Sequence, residues 1–140
     1  MEKNGKVWAV LCHIGGLLGF YVFPLGNIIV PLIIWIVFRN KDDLVNQHGK
    51  SAVNFQISLA IYEIVSLGLI LLGIFSIPML DSGKWDALTS IPLTFAILGI
   101  PSVLFVVFMF AAEIIFIIIA CIKVSDERTY RYPFSIRFIK

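Results

Sequence analysis

Two carboxylates stand inside long apolar runs, Glu63 within residues 51–80 and Glu113 within residues 87–122. A charged side chain at the centre of a bilayer costs about 3 kcal/mol or more, so such residues mark a pathway or a bond between helices. Glu63 lies twelve positions in from Ser51 and Glu113 nine from Ile122, about 18 and about 14 Å at helical rise. Asn27, eleven positions in from Phe38, reaches about the same level, and His13 sits nearer the end of the first apolar run. Facing one another, His13, Asn27, Glu63 and Glu113 make an intramembrane polar cluster of two carboxyls, an amide and an imidazole. One chemistry for it is a proton or cation pathway, because paired carboxyls at close range share a proton. The other is interhelical hydrogen bonding by a neutral Glu, worth about 0.6 to 2 kcal/mol and serving assembly alone. No Lys or Arg stands at that depth to complete a relay, so the assembly reading is preferred.

Catalytic patterns are missing. The chain has no Gly-x-Ser-x-Gly elbow, no His-Glu-x-x-His, no phosphate-cradling glycine loop and no Asp pair within an apolar run. His48 lies beside Asp42 and Asp43 in a charged stretch and reads as a solvated histidine. Cys12 and Cys121 read as small packing residues, since two isolated thiols supply too few ligands for a metal. The expectation is a protein without enzyme activity, cofactor or metal.

The elements that must hold these residues follow from composition. Of 140 residues, 59% are apolar and 14% charged, with a mean hydropathy of +0.96. A soluble domain carries about 25% charged and about 45–50% apolar residues, and a fold of this size leaves about a third of its unfolded surface exposed. Soluble and disordered classes are excluded. A net charge of +2 without a basic stripe excludes nucleic acid as a partner.

Charged clusters at residues 1–6, 39–50, 81–86 and from Lys123 onward divide the chain. Val7 to Phe38 carries no charge over 32 positions, about 48 Å as one helix against a hydrocarbon core of about 30 Å. Pro24, Gly26 and Asn27 interrupt it with turn chemistry. The reading is an all-α, multi-pass fold forming one domain, 1–140, with four transmembrane helices at about 7–23, 25–38, 52–78 and 100–122. Residues 87–99 form an interfacial or re-entrant lead-in with a kink near Pro101. The N-terminal charges and apolar run resemble a secretory signal, but no small-x-small site follows, so the segment is expected to stay. Four spans put ten of the eleven Lys and Arg on one side, leaving Lys84 opposite, which makes both termini cytoplasmic.

Gly15, Gly16 and Gly19 form a small-residue face in the first span, read as packing against the chain's own helices, with dimerisation as the alternative. His48, Asn54 and Gln56 lead into the third span at interface depth, placed to bond headgroups, loop backbone or a neighbouring helix. The tail 123–140 interleaves Arg128, Arg131 and Arg137 with Tyr130 and Tyr132. That mixture suits an interfacial segment on anionic inner-leaflet lipid or a dock for a partner.

Pro31–Trp35, His48–Gln56 and Tyr130–Ile139, in that order over nearly the whole chain, resemble a prokaryotic family of small four-span membrane proteins of unknown function. That family is related to the Tic-type translocon subunit of the chloroplast inner envelope. Residues 124–129 depart from its pattern in lacking a glycine before the tyrosines. The resemblance implies a four-helix membrane fold, and its plastid relatives suggest protein import.

Together these readings lead to a subunit or accessory of an assembly in the prokaryotic cell membrane, associating with itself or with other membrane proteins, with translocation of proteins or peptides as the candidate task. The alternatives are a small oligomeric proton- or cation-coupled transporter or channel using Glu63 and Glu113, and a lipid-organising scaffold. Length and an intramembrane Glu invite comparison with four-span multidrug transporters, but here the first span offers His13 and no carboxylate. Replacing Glu63 and Glu113 together by Gln preserves hydrogen bonding. The expected result is normal assembly with unchanged phenotype in complemented cells, whereas an assembled but inactive variant would establish the pathway.

Overall fold

The computed structural model describes residues 3–22, 25–75 and 95–140, and among these the regular structure is entirely helical. The elements are α1 (Lys3–Val22), α2 (Gly26–Phe38), α3 (Asp43–Phe75), a π-helical turn (Phe95–Gly99) and α4 (Ile100–Ser125). Lys84, Pro92 and the start of the expected lead-in lie outside the described residues, as do Pro24 and the end of the span expected at 52–78.

α3 begins nine residues before the expected 52 because its charged start is itself helical. The Asp42 carboxylate accepts a hydrogen bond from the Leu44 N–H at 2.8 Å, capping an end that otherwise has unsatisfied donors. Asp43 adds negative charge to the first turn, where the helix dipole favours it. At 33 residues the helix is about 50 Å long, so its polar first turns extend beyond a hydrocarbon layer of about 30 Å.

A π-turn, Phe95–Gly99, precedes Pro101 and runs directly into α4. Proline has no N–H to give the preceding turn, and a wider turn accommodates that loss. Ser102 donates its hydroxyl to the Leu98 carbonyl there, at 2.6 Å.

The described chain has two helices long and apolar enough to cross a membrane, Asp43–Phe75 and Phe95–Ser125, not the expected four. Only 22% and 28% of their most apolar stretches are buried, whereas the core helix of a soluble protein is mostly covered. The apolar part of α1, Gly5–Gly19, and the whole of α2 are shorter. At helical rise each reaches only about 20 Å. They pack as an antiparallel hairpin instead. A methyl group at Gly19 would collide with the Gly26 carbonyl, one at Gly26 with the Gly19 carbonyl, and one at Gly15 would meet Val30 at 2.8 Å. At the open end, Trp8 stacks on Phe38 with ring centres 3.9 Å apart. Leu25 enters α2 in the left-handed region at φ 64°.

Contacts group the chain into two units, Met1–Leu59 with Ala112–Lys140 and Ala60–Ala111. The first has a core of Ala9, Cys12, Leu44, Val45, Ala52 and Val124, joining α1, the start of α3 and the end of α4. In the second, Tyr62 meets Phe105 edge to face at 6.4 Å.

α4 ends in a Schellman turn: the Arg128 N–H bonds the Lys123 carbonyl at 2.9 Å and the Glu127 N–H bonds that of Val124 at 3.0 Å. Glu127 occupies the left-handed position, φ 57°, where the expected glycine is missing, at a cost of about 1 kcal/mol. Lys6 ties this turn to α1, donating to the Ser125 carbonyl at 3.1 Å and pairing with Glu127 at 3.0 Å. The start of α1 and the end of α4 therefore share one side, and the topology expected from the sequence puts that side in the cytoplasm. A membrane-impermeant label applied to intact cells is expected to miss cysteines introduced at residues 4 and 140. Labelling of one of the two would break this topology.

Candidate functional site

His13 projects from α1 on the buried face that also carries Ala9, Cys12 and Gly16. His48 projects from α3 on the face of Leu44, Val45 and Ala52. Both imidazoles are enclosed, with relative exposures of 1% and 0%. The His13 Nε2 lies 2.9 Å from the His48 Nδ1, and the Tyr132 hydroxyl lies 2.9 Å from the His13 Nδ1. At the far end the His48 Nε2 lies 3.1 Å from the Arg128 carbonyl oxygen.

The direction of every proton follows from that carbonyl. It can only accept, so the His48 Nε2 carries hydrogen and donates. In a neutral ring the His48 Nδ1 is then bare and accepts from the His13 Nε2–H. That leaves the His13 Nδ1 bare in turn, and the Tyr132 hydroxyl donates to it. Tyr132, His13, His48 and Arg128 thus form a one-way chain of three hydrogen bonds in which both imidazoles are neutral. Burial pushes the Tyr132 phenol well above its ordinary range, which keeps the donor at the head of the chain protonated. Tyr132 is held in place by stacking on Phe55, with ring centres 4.0 Å apart and planes 5° apart.

A second set of bonds fixes the tail to α3. Asn54 donates to the Ile139 carbonyl at 2.9 Å, and its side-chain oxygen accepts from the backbone N–H groups of Phe138 and Ile139 at 3.1 and 2.8 Å. Ser58, one turn on, accepts from the Ile136 N–H at 2.8 Å while donating to the Asn54 carbonyl at 2.7 Å. A third set crosses the helices. The Gln56 amide donates to Glu113 at 2.8 Å and accepts from Asn27 at 3.3 Å, and Trp35 donates to Asn46 at 3.0 Å. Among the described residues every buried side-chain nitrogen and oxygen has a partner.

The expected cluster of His13, Asn27, Glu63 and Glu113 therefore divides. Asn27 and Glu113 are joined through Gln56, and His13 belongs to the tyrosine–histidine chain. Glu63 is exposed in the second unit and takes part in neither set. Of the residues expected to meet headgroups or partners, His48, Asn54 and Gln56 are turned toward the core by the helical register of α3, and Tyr132 in the tail is held there by Phe55 and His13. Arg128, Arg131 and Arg137 are exposed and Tyr130 is half-buried. Gly15 and Gly19 meet α2, and Gly16 meets Gln56. Sequence reasoning missed Phe55 and Ser58, although Asn54 and Ser58 are spaced to share a helix face. Among the described residues no three His, Cys, Asp or Glu converge to hold a metal.

The chain belongs to the magnetosome magnetite crystal formation protein family, whose sequence pattern matches residues 4–139. That match overturns the likeness to a Tic-type translocon subunit: residues 31–35, 48–56 and 130–139, which carried the likeness, all lie inside it. No curated protein matches the chain, and no solved structure does.

Removing the Tyr132 hydroxyl strands a buried acceptor on His13, which costs about 1–3 kcal/mol. Tyr132→Phe is expected to lose about that much in reversible unfolding in detergent, and Tyr130→Phe under about 0.5 kcal/mol. Equal losses from the two would remove the directed chain.

Proposed function

We propose that this member of the magnetosome magnetite crystal formation family is a non-enzymatic component of a membrane assembly at which magnetite crystals form. The observation that carries the reading is the division of labour between inside and outside. The described buried polar side chains bond one another or the backbone, while the outer faces of α3 and α4 are apolar. Ile64, Val65, Leu72 and Phe75 on α3 and Leu104, Val107, Phe108 and Ile115 on α4 are all more than half exposed. Such faces suit lipid and the helices of neighbouring proteins, where close van der Waals packing drives association.

The transport reading has less to work with. Glu113 is held by Gln56, which is in turn held by Asn27, an arrangement suited to joining α2, α3 and α4. Among the described residues every buried side-chain nitrogen and oxygen already has a partner within the chain. Protein import, suggested by the discarded resemblance, is not carried forward. The family description contributes the process, and the geometry contributes the kind of part: a scaffold held rigid from within.

Native mass spectrometry of the chain released in a mild detergent tests this. The expected species holds at least two chains of 15.7 kDa or one chain with a second membrane protein. A single chain throughout, with no cross-linked neighbour in intact membranes, would overturn the proposal.

A further inference from the structure

We propose that the cavity between the first turns of α3 and the C-terminal tail is a binding site for a phosphate-bearing anion. The cavity encloses about 540 Å³ and is lined by Lys50 from α3 and by Arg131, Arg137 and Lys140 from the tail. No acidic side chain lines it. The ion pair described in this structure, Lys6 with Glu127, involves none of the four. Four of the chain's eleven Lys and Arg thus converge with no Asp or Glu side chain among the lining residues. Like charges gathered in this way attract an anion of more than one charge, and focusing within a concave wall strengthens the attraction.

The remaining lining suits phosphate oxygens. Ser51 and Tyr130 contribute hydroxyl donors, and two guanidinium groups offer the forked geometry that phosphate accepts in pairs. The walls are also prearranged. Asn54 and Ser58 pin the backbone at Ile136, Phe138 and Ile139 on either side of Arg137. The Tyr132 hydroxyl bonds His13 and so anchors the residue next to Arg131. A site whose framework is fixed before binding loses less entropy on binding. The site is independent of the assembly reading, since it rests on residues that reading does not use.

A phosphate of this kind comes either from a lipid headgroup or from a soluble compound, and two probes separate the sources. The full chain in neutral-detergent micelles is titrated calorimetrically with inorganic pyrophosphate, and separately with phosphatidylglycerol carried in the same micelles. Saturable binding of about one probe per chain is expected. The double variant Arg131→Gln, Arg137→Gln should bind at least about tenfold more weakly, as expected for lost charge-assisted bonds. Lys123→Gln, a cation outside the cavity, should change affinity less than about twofold. An unchanged unfolding midpoint without probe confirms that the variants fold. Binding of lipid alone assigns a headgroup, and binding of pyrophosphate alone or of both assigns phosphate chemistry open to soluble ligands; each supports the site. Failure of both probes to saturate, wild-type affinity in the double variant, or an equal loss in Lys123→Gln would overturn it.

Discussion

The Arg128 carbonyl accepts and cannot donate, and that asymmetry governs the interior of the first unit. Because the His48 Nε2–H meets it at 3.1 Å, the proton positions on His48, His13 and Tyr132 are all assigned, each by the one before. With both rings neutral, each imidazole donates once and accepts once, so every ring nitrogen is matched. The same bonds do mechanical work. They connect α1, α3 and the C-terminal tail, three segments far apart in sequence, around two rings almost without solvent contact. Where water is excluded, an unmet donor or acceptor is expensive, so these segments are held to one arrangement more firmly than apolar contact alone would hold them.

Much of this arrangement was visible in the residues themselves, and the parts that were not have identifiable reasons. Helix boundaries near Val22, Gly26, Phe38 and Ile100 follow from charge and turn residues. The start of α3 did not, because a run of charges reads as loop until Asp42 is seen to cap a helix. The two glutamates fall in different units, and only Glu113 joins one of the described bond sets. The apolar hairpin misled in the opposite direction. Its run is long enough for two spans only when each half is stretched to the minimum, and the glycine contacts instead make a short, tight pair. The tail carries every mark of a lipid-facing segment, yet its backbone is claimed by Asn54 and Ser58, a pairing that neither sequence segment reveals alone.

The three motifs that suggested a translocon relative gain a physical meaning from the structure. Trp35 in the first bonds Asn46. His48, Asn54 and Gln56 in the second anchor three separate hydrogen-bond sets. Tyr132 in the third heads the imidazole chain, and residues 136, 138 and 139 present the backbone that Asn54 and Ser58 hold. These are the residues that join the helices and the tail. A pattern made of such residues identifies how a chain folds and leaves its task open, because one fold can host unrelated functions. The family match extends over residues 4–139, well beyond these three stretches.

The inward use of polar groups determines what remains for the outside. Buried carboxyl, amide, imidazole and phenol groups bond within the chain, so the described residues meet their surroundings mainly with apolar helix faces, among which Glu63 is exposed, and with a cation-rich tail. Apolar faces in a bilayer discriminate poorly by themselves, since lipid tails are as apolar as leucine. The cationic end can discriminate, because guanidinium groups on a fixed backbone select by charge and shape together. The rigid interior links the two, since the helix that carries Lys50 also carries Asn54 and Ser58, which hold Arg137 opposite it.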